Sequence, residues 1–131
     1  MIRITASFVV LAFMVLGSNC SKGQVNTSLT PQEFAKKAGQ SKDAIVLDVR
    51  TLDEFREGHI EKSLNIDWNG NDFEKQVTKL DKSKPVLVYC LRGARSESAA
   101  RKMRSMGFKE VFELKGGLAE WQASRMPLAH P

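Results

Sequence analysis

Two short runs of branched aliphatic residues, Ala44–Val49 (AIVLDV) and Pro85–Tyr89 (PVLVY), constrain this chain more than any other feature. Apolar side chains at successive positions, rather than alternate ones, suit a strand covered on both faces, and that arrangement belongs to parallel sheets. Helix signals lie between the runs. Thr30, Pro31 and Glu33 form a capped helix start, with Leu29 and Phe34 at the staple positions, and the helix is expected to stop near Gly39. Thr51 with Glu54 is a second capping box, for a short helix ending at Gly58. Ser63–Ile66 reads as a brief strand, and after Asn71 the residues Phe73, Val77 and Leu80 line one helix face. Ser96 is expected to cap a helix carrying Ala99, Ala100, Met103 and Met106, with Gly107 as its left-handed stop. Val111–Leu114 is a last strand, and Gly116 and Gly117 lead into a helix through Leu118 and Trp121 that Pro127 ends. Strands alternating with helices predict an α/β fold, a small, mostly parallel sheet with helices on both faces.

With 131 residues there is room for one such domain. Two cysteines are too few for a disulfide scaffold, so the fold must rest on apolar packing. The net charge of +5 is spread without a basic block, and no nucleic-acid partner is expected. The amino terminus reads as an address. Arg3 is the only charge before Lys22, and Ala6–Leu16 is an apolar or small-residue run of signal-peptide length, short for a bilayer span. Leu16, Gly17, Ser18, Asn19 and Cys20 resemble a bacterial lipobox, although Asn19 departs from the usual small residue there. That resemblance implies a signal peptide over 1–19, acylation of Cys20, a polar tether over 20–28 and a folded domain over 29–131. The protein would then be exported to the periplasm and held at the membrane by its lipid. The competing readings are a plain secretory signal and an uncleaved anchor helix.

In parallel α/β folds chemistry gathers at the carboxyl ends of strands, and Cys90 stands at one of them. The segment Cys90, Leu91, Arg92, Gly93, Ala94, Arg95, Ser96 offers three influences that favour a thiolate: a helix amino terminus, unpaired backbone amides and nearby arginines. Gly93 would let the loop curl until successive amides point at the sulfur. This segment resembles the six-residue active-site loop of single-domain rhodaneses. Asp48-Val49-Arg50, Glu54-Phe55, Gly58-His59-Ile60, Asn65-Ile66 and Gly116-Gly117 with Trp121 follow the same family's order and spacing. Lys62 and Ser63 replace a common glycine and alanine in a turn.

The resemblance implies a rhodanese-like fold and a thiosulfate sulfurtransferase, in which Cys90 carries sulfur from a small anionic donor to cyanide or a thiol. No metal or organic cofactor is implied. Leu91 to Ser96 would surround the substrate, with Arg92 meeting sulfonate oxygens. Arg95 would anchor the loop to Glu54 or Asp48, and Asp48 with Arg50 would form an ion-paired support, Arg50 being a second candidate to face the substrate.

Plainer roles compete at several positions. A cysteine at a strand end is often a small core residue. His59, after a helix-ending glycine, is expected to be a hydrogen-bonded structural residue, Trp121 and the methionines at helical spacing to be core, and His130 to be disordered. Three other functions compete with sulfur transfer. Cysteine phosphatases place their arginine after five residues beyond the cysteine, whereas four separate Cys90 from Arg95. A persulfide carrier for another exported protein would use the same cysteine, and so would a redox sensor, which here lacks a nearby resolving cysteine.

Overall fold

The computed structural model describes residues 26–131. The expected signal segment and Cys20 lie outside the described residues. Five strands and five helices follow one another there: β1 (Ser28–Leu29), α1 (Pro31–Gln40), β2 (Ile45–Asp48), α2 (Leu52–Glu57), β3 (Leu64–Asn65), α3 (Phe73–Val77), β4 (Val86–Tyr89), α4 (Ala94–Ser105), β5 (Val111–Leu114) and α5 (Gly117–Ala123). The strands form one sheet in the order β1-β5-β4-β2-β3, with every neighbouring pair parallel.

Alternation along the strands divides the core in two. Leu47, Val49, Val86, Val88, Cys90 and Val111 face one side, where Phe73 and Val77 of α3 and Ala99, Ala100 and Met103 of α4 cover them. Val46, Leu87, Tyr89, Phe112 and Leu114 face the other, under Phe34 of α1 and Leu118 and Trp121 of α5. This is why the two strong strands read as continuous apolar runs: both faces are covered, and Val86 to Tyr89 are all fully buried. Phe34 makes edge-on contacts with both Tyr89 and Trp121, tying the second layer to β4.

Both capping boxes are present, with the hydroxyls of Thr30 and Thr51 accepting from the amides of Glu33 and Glu54. Gly107 follows α4 at φ +96°. The α1 helix runs one residue past Gly39, to Gln40.

Other expectations are corrected. Ser96 does not cap α4; Gly93 does, at φ +111°, while Ser96 lies buried in the first turn. His130 is held rather than free. Its Nδ1 lies 3.1 Å from the carbonyl of Glu57, and the neighbouring Ala129 forms an antiparallel bridge with His59. The expected tether over 20–28 gives its last residues to the sheet: Ser28 pairs with Glu113, and the Thr27 carbonyl accepts from the Glu113 amide. Among the described residues no helix is long and apolar enough to cross a membrane.

Candidate active site

The sheet order places the chemistry. From β2 the chain crosses outward to β3, and from β4 it crosses the opposite way to β5, so the crevice between the carboxyl ends of β2 and β4 is a topological switch point. Asp48 pairs in register with Tyr89. The next residues of the two strands, Val49-Arg50 and Cys90-Leu91, therefore leave the sheet side by side.

The loop after β4 wraps the sulfur of Cys90. The Gly93 amide donates to Sγ at 3.0 Å, and the Ser96 hydroxyl oxygen lies 3.5 Å from it while donating to the Gly93 carbonyl at 3.1 Å. Gly93 reaches its left-handed backbone conformation because it has no Cβ, and that conformation turns the amide inward. Burial alone pushes the Cys90 thiol up. The amides of Ser96, Gly93 and Arg92, together with the Ser96 hydroxyl, whose proton is free to turn from the Gly93 carbonyl to the sulfur once the thiol ionises, outweigh it and hold the thiol below its ordinary range.

A second set of contacts holds the loop's outer side. The amides of Leu118 and Ala119, in the first turn of α5, donate to the carbonyls of Cys90 and Leu91 at 2.8 and 2.9 Å. With those carbonyls bound outside, the loop's own amides are left to face the sulfur. The approach is so close that a Cβ on Gly117 would stand 2.5 Å from the Leu91 oxygen and 2.7 Å from the Arg92 nitrogen. The sequence announces Gly116 and Gly117 as a helix start and as matched positions, but not the contact that these α5 amides make. A pair of glycines before an apolar helix start is the signal that backbone approaches backbone there.

Arg95 resolves its choice of partner in favour of Glu54. Its two terminal nitrogens meet the two carboxylate oxygens at 2.8 and 3.0 Å, a bidentate pair that ties α4 to α2. The Arg95 guanidinium, with burial opposing and the Thr51 hydrogen bonds adding, draws the Glu54 carboxyl down to about 2. Asp48 and Arg50 form the expected buried ion pair, closed by three side-chain contacts of 2.6 to 3.1 Å. Arg50 also donates to the Gly58 carbonyl at 2.8 Å and is 4% exposed, so its guanidinium is engaged by the scaffold. Asn65 braces the same turn by donating to the carbonyls of Asp48 and Arg50. On the far side of β4, the Tyr89 hydroxyl accepts from the Ile60 amide at 3.0 Å and meets Ser63, the residue that departs from the family's alanine. His59 stacks on Phe55 and bonds its carbonyl, in keeping with a structural role.

Leu91, Arg92 and Ala94 are exposed around the buried Cys90. Arg92 forms no ion pair within 4 Å among the described residues. The seven loop residues named from sequence thus gather in one place, with Cys90 and Ser96 inside, Arg95 turned back to the scaffold and Arg92 outward.

The profile of the rhodanese-like domain family matches residues 30–124, from the α1 cap to the end of α5. Thiosulfate sulfurtransferase GlpE of Coxiella burnetii is 40% identical over 91 residues, covering 70% of this chain and 79% of that protein. A tRNA uridine(34) hydroxylase of Pelagibacter ubique is 36% identical over 102 residues, which are 77% of this chain and 34% of the hydroxylase. A crystal structure of a rhodanese-related protein from Thermoplasma volcanium superposes with a TM-score of 0.69 at 25% identity, over 78% of this chain and 96% of that one. Sheet order, loop and sequence profile agree, and the chain belongs to the rhodanese-like domain family.

Proposed function

We propose that the protein is a sulfurtransferase in which Cys90 takes a sulfane sulfur from thiosulfate or a related anion and passes it to cyanide or a thiol. The observation that carries this reading is the amide-lined loop around a thiol held below its ordinary range. In the first step the Cys90 thiolate attacks the outer sulfur of thiosulfate. The sulfur–sulfur bond of the donor breaks, its electron pair leaves with sulfite, and Cys90 becomes a persulfide anion. In the second step cyanide or a thiolate attacks the terminal sulfur, and the Cys90 thiolate returns. Charge balances at each stage without an oxidant or a metal. The amides of Arg92, Gly93 and Ser96 stabilise the anion on either sulfur, while Arg92 attracts the oxygens of the donor. The 40% identity to a protein named thiosulfate sulfurtransferase supports the same chemistry.

A phosphatase fits less well. The loop is one residue shorter than a phosphate cradle, and the guanidinium of Arg95 is engaged by Glu54 rather than free to bind phosphoryl oxygens. A persulfide carrier serving another exported protein remains the second reading; it shares every chemical step and differs only in the acceptor. For the amino-terminal residues we keep the proposal of a lipid anchor at Cys20, with a periplasmic location. Fractionation of the parent and of Cys20→Ser between membrane and soluble phases tests it.

Cys90→Ser removes the soft nucleophile and little volume. It should retain the fold by circular dichroism and lose thiosulfate-to-cyanide transfer altogether, with parallel double-reciprocal lines for the parent. Activity in the variant near the parent's, or intersecting lines, would overturn the mechanism.

A further inference from the structure

Beside the loop runs an open groove of about 500 Å³, lined on one side by Arg92, Gly93, Ala94 and Ser96 and on the other by Ser28, Lys115 and Gly116. Gly93 and Ser96 are also the residues that bond the Cys90 sulfur, so the groove adjoins the nucleophile's own hydrogen-bond shell. Its volume is in the range that holds a molecule far larger than thiosulfate. Two carboxylates border it, and both are occupied: Glu97 pairs with Arg101 and Glu113 with Arg104, each at 3.0 Å. Two cations border it as well, and neither Arg92 nor Lys115 has an ion-pair partner within 4 Å among the described residues. Glu33 lies within electrostatic reach of Lys115, yet its carboxylate is bonded to the amide and hydroxyl of Thr30. The groove therefore carries a cation on each wall with no contact ion pair among the described residues, the charge of Glu33 reaching Lys115 only at longer range.

One cation suffices for a small sulfonate at the loop. A second, on the opposite wall of the groove, fits a sulfur acceptor whose thiol reaches the persulfide while a carboxylate several bonds away rests against that wall. We propose that Lys115 is a specificity-determining residue for the second half-reaction, binding the carboxylate of a low-molecular-weight thiol that discharges the Cys90 persulfide. This inference rests on the sulfurtransferase reading and names its acceptor class. In the step itself the acceptor thiolate attacks the terminal sulfur, the Cys90 thiolate leaves, and the acceptor departs as its own persulfide anion. Lys115 touches neither sulfur, so it acts on binding and not on the bond changes.

The test separates the two halves. Protein is first loaded with thiosulfate, freed of donor and then discharged with glutathione, 2-mercaptoethanol or cyanide, in the parent, Lys115→Gln and Lys115→Arg. Loading should be equal in all three proteins. With glutathione, Lys115→Gln should raise the half-saturating concentration about three- to tenfold at unchanged maximal rate, an effect that shrinks in high salt and that Lys115→Arg restores. With 2-mercaptoethanol and cyanide, which carry no carboxylate, the variants should match the parent. Equal effects on all acceptors, or none on glutathione, would overturn the role of Lys115 while leaving the sulfurtransferase standing. A parent that takes up no sulfur would overturn both.

Discussion

At Cys90 two opposing influences act on one sulfur: burial disfavours the thiolate, and hydrogen bonds from Ser96, Gly93 and Arg92 favour it more. The rate of sulfur loading should therefore rise with pH through a thiol titration below the ordinary cysteine range and then level off. Ser96→Ala deletes the hydroxyl and keeps the amides. A single hydrogen bond is worth about 0.5–1.5 kcal/mol, so the acid limb of the pH–rate profile should move up by about half a unit to one unit, with the plateau little changed. An unmoved limb would show that the amides alone set the titration. Arg92 belongs to the same scale. Exposed and unpaired, it is available to bind an anion in ground and transition states alike, and Arg92→Ala should raise KM for thiosulfate about tenfold or more with a smaller change in kcat. Steady-state kinetics at two salt concentrations check this, since a contact of this kind weakens as salt rises.

Among elements, α2 and α5 hold the loop from opposite sides, through side chains in one case and backbone in the other. The α5 contact leaves no room for a methyl group. Gly117→Ala brings Cβ to 2.5 Å from the Leu91 oxygen at a φ of +63°, and should cost about 2–4 kcal/mol in denaturant-measured stability while disordering the amide ring and lowering loading. The same substitution at Gly39, where a Cβ meets nothing, serves as the control and should not destabilise. The α2 contact is electrostatic. The Glu54 carboxyl titrates at about 2 in the folded chain against an ordinary value of 4.5, so its stabilising contribution is complete above pH 4.5 and disappears as pH falls through 2. Glu54→Gln should flatten the stability–pH curve across that window, as measured by urea midpoints at successive pH values. A variant curve parallel to the parent's there would contradict the assignment of Arg95 to Glu54.

For the whole molecule, the parallel order of strands does most to position the site, because it brings the exits of β2 and β4 together at the switch point. Much of this was legible in the sequence, since the signals are local: branched runs for β2 and β4, capping boxes at Thr30 and Thr51, and a cysteine at a strand end. What escaped is non-local or conditional. Serine is a strong helix cap, and Ser96 reads as one, but the loop closing around the sulfur gives the cap to Gly93 and draws Ser96 inward. The clamp from Leu118 and Ala119 joins segments far apart in the chain, and no spacing rule announces it. Nor does one announce that His59 and Glu57 hold the carboxyl-terminal residues, or that Ser28 completes the sheet edge. Sulfur transfer through Cys90 requires a covalent persulfide on that residue, and mass spectrometry of the protein after brief thiosulfate treatment detects it. The expected result is the mass of one added sulfur, located on the peptide containing Cys90 and removed by cyanide. An unmodified Cys90 peptide, or added sulfur on some other residue, would contradict it.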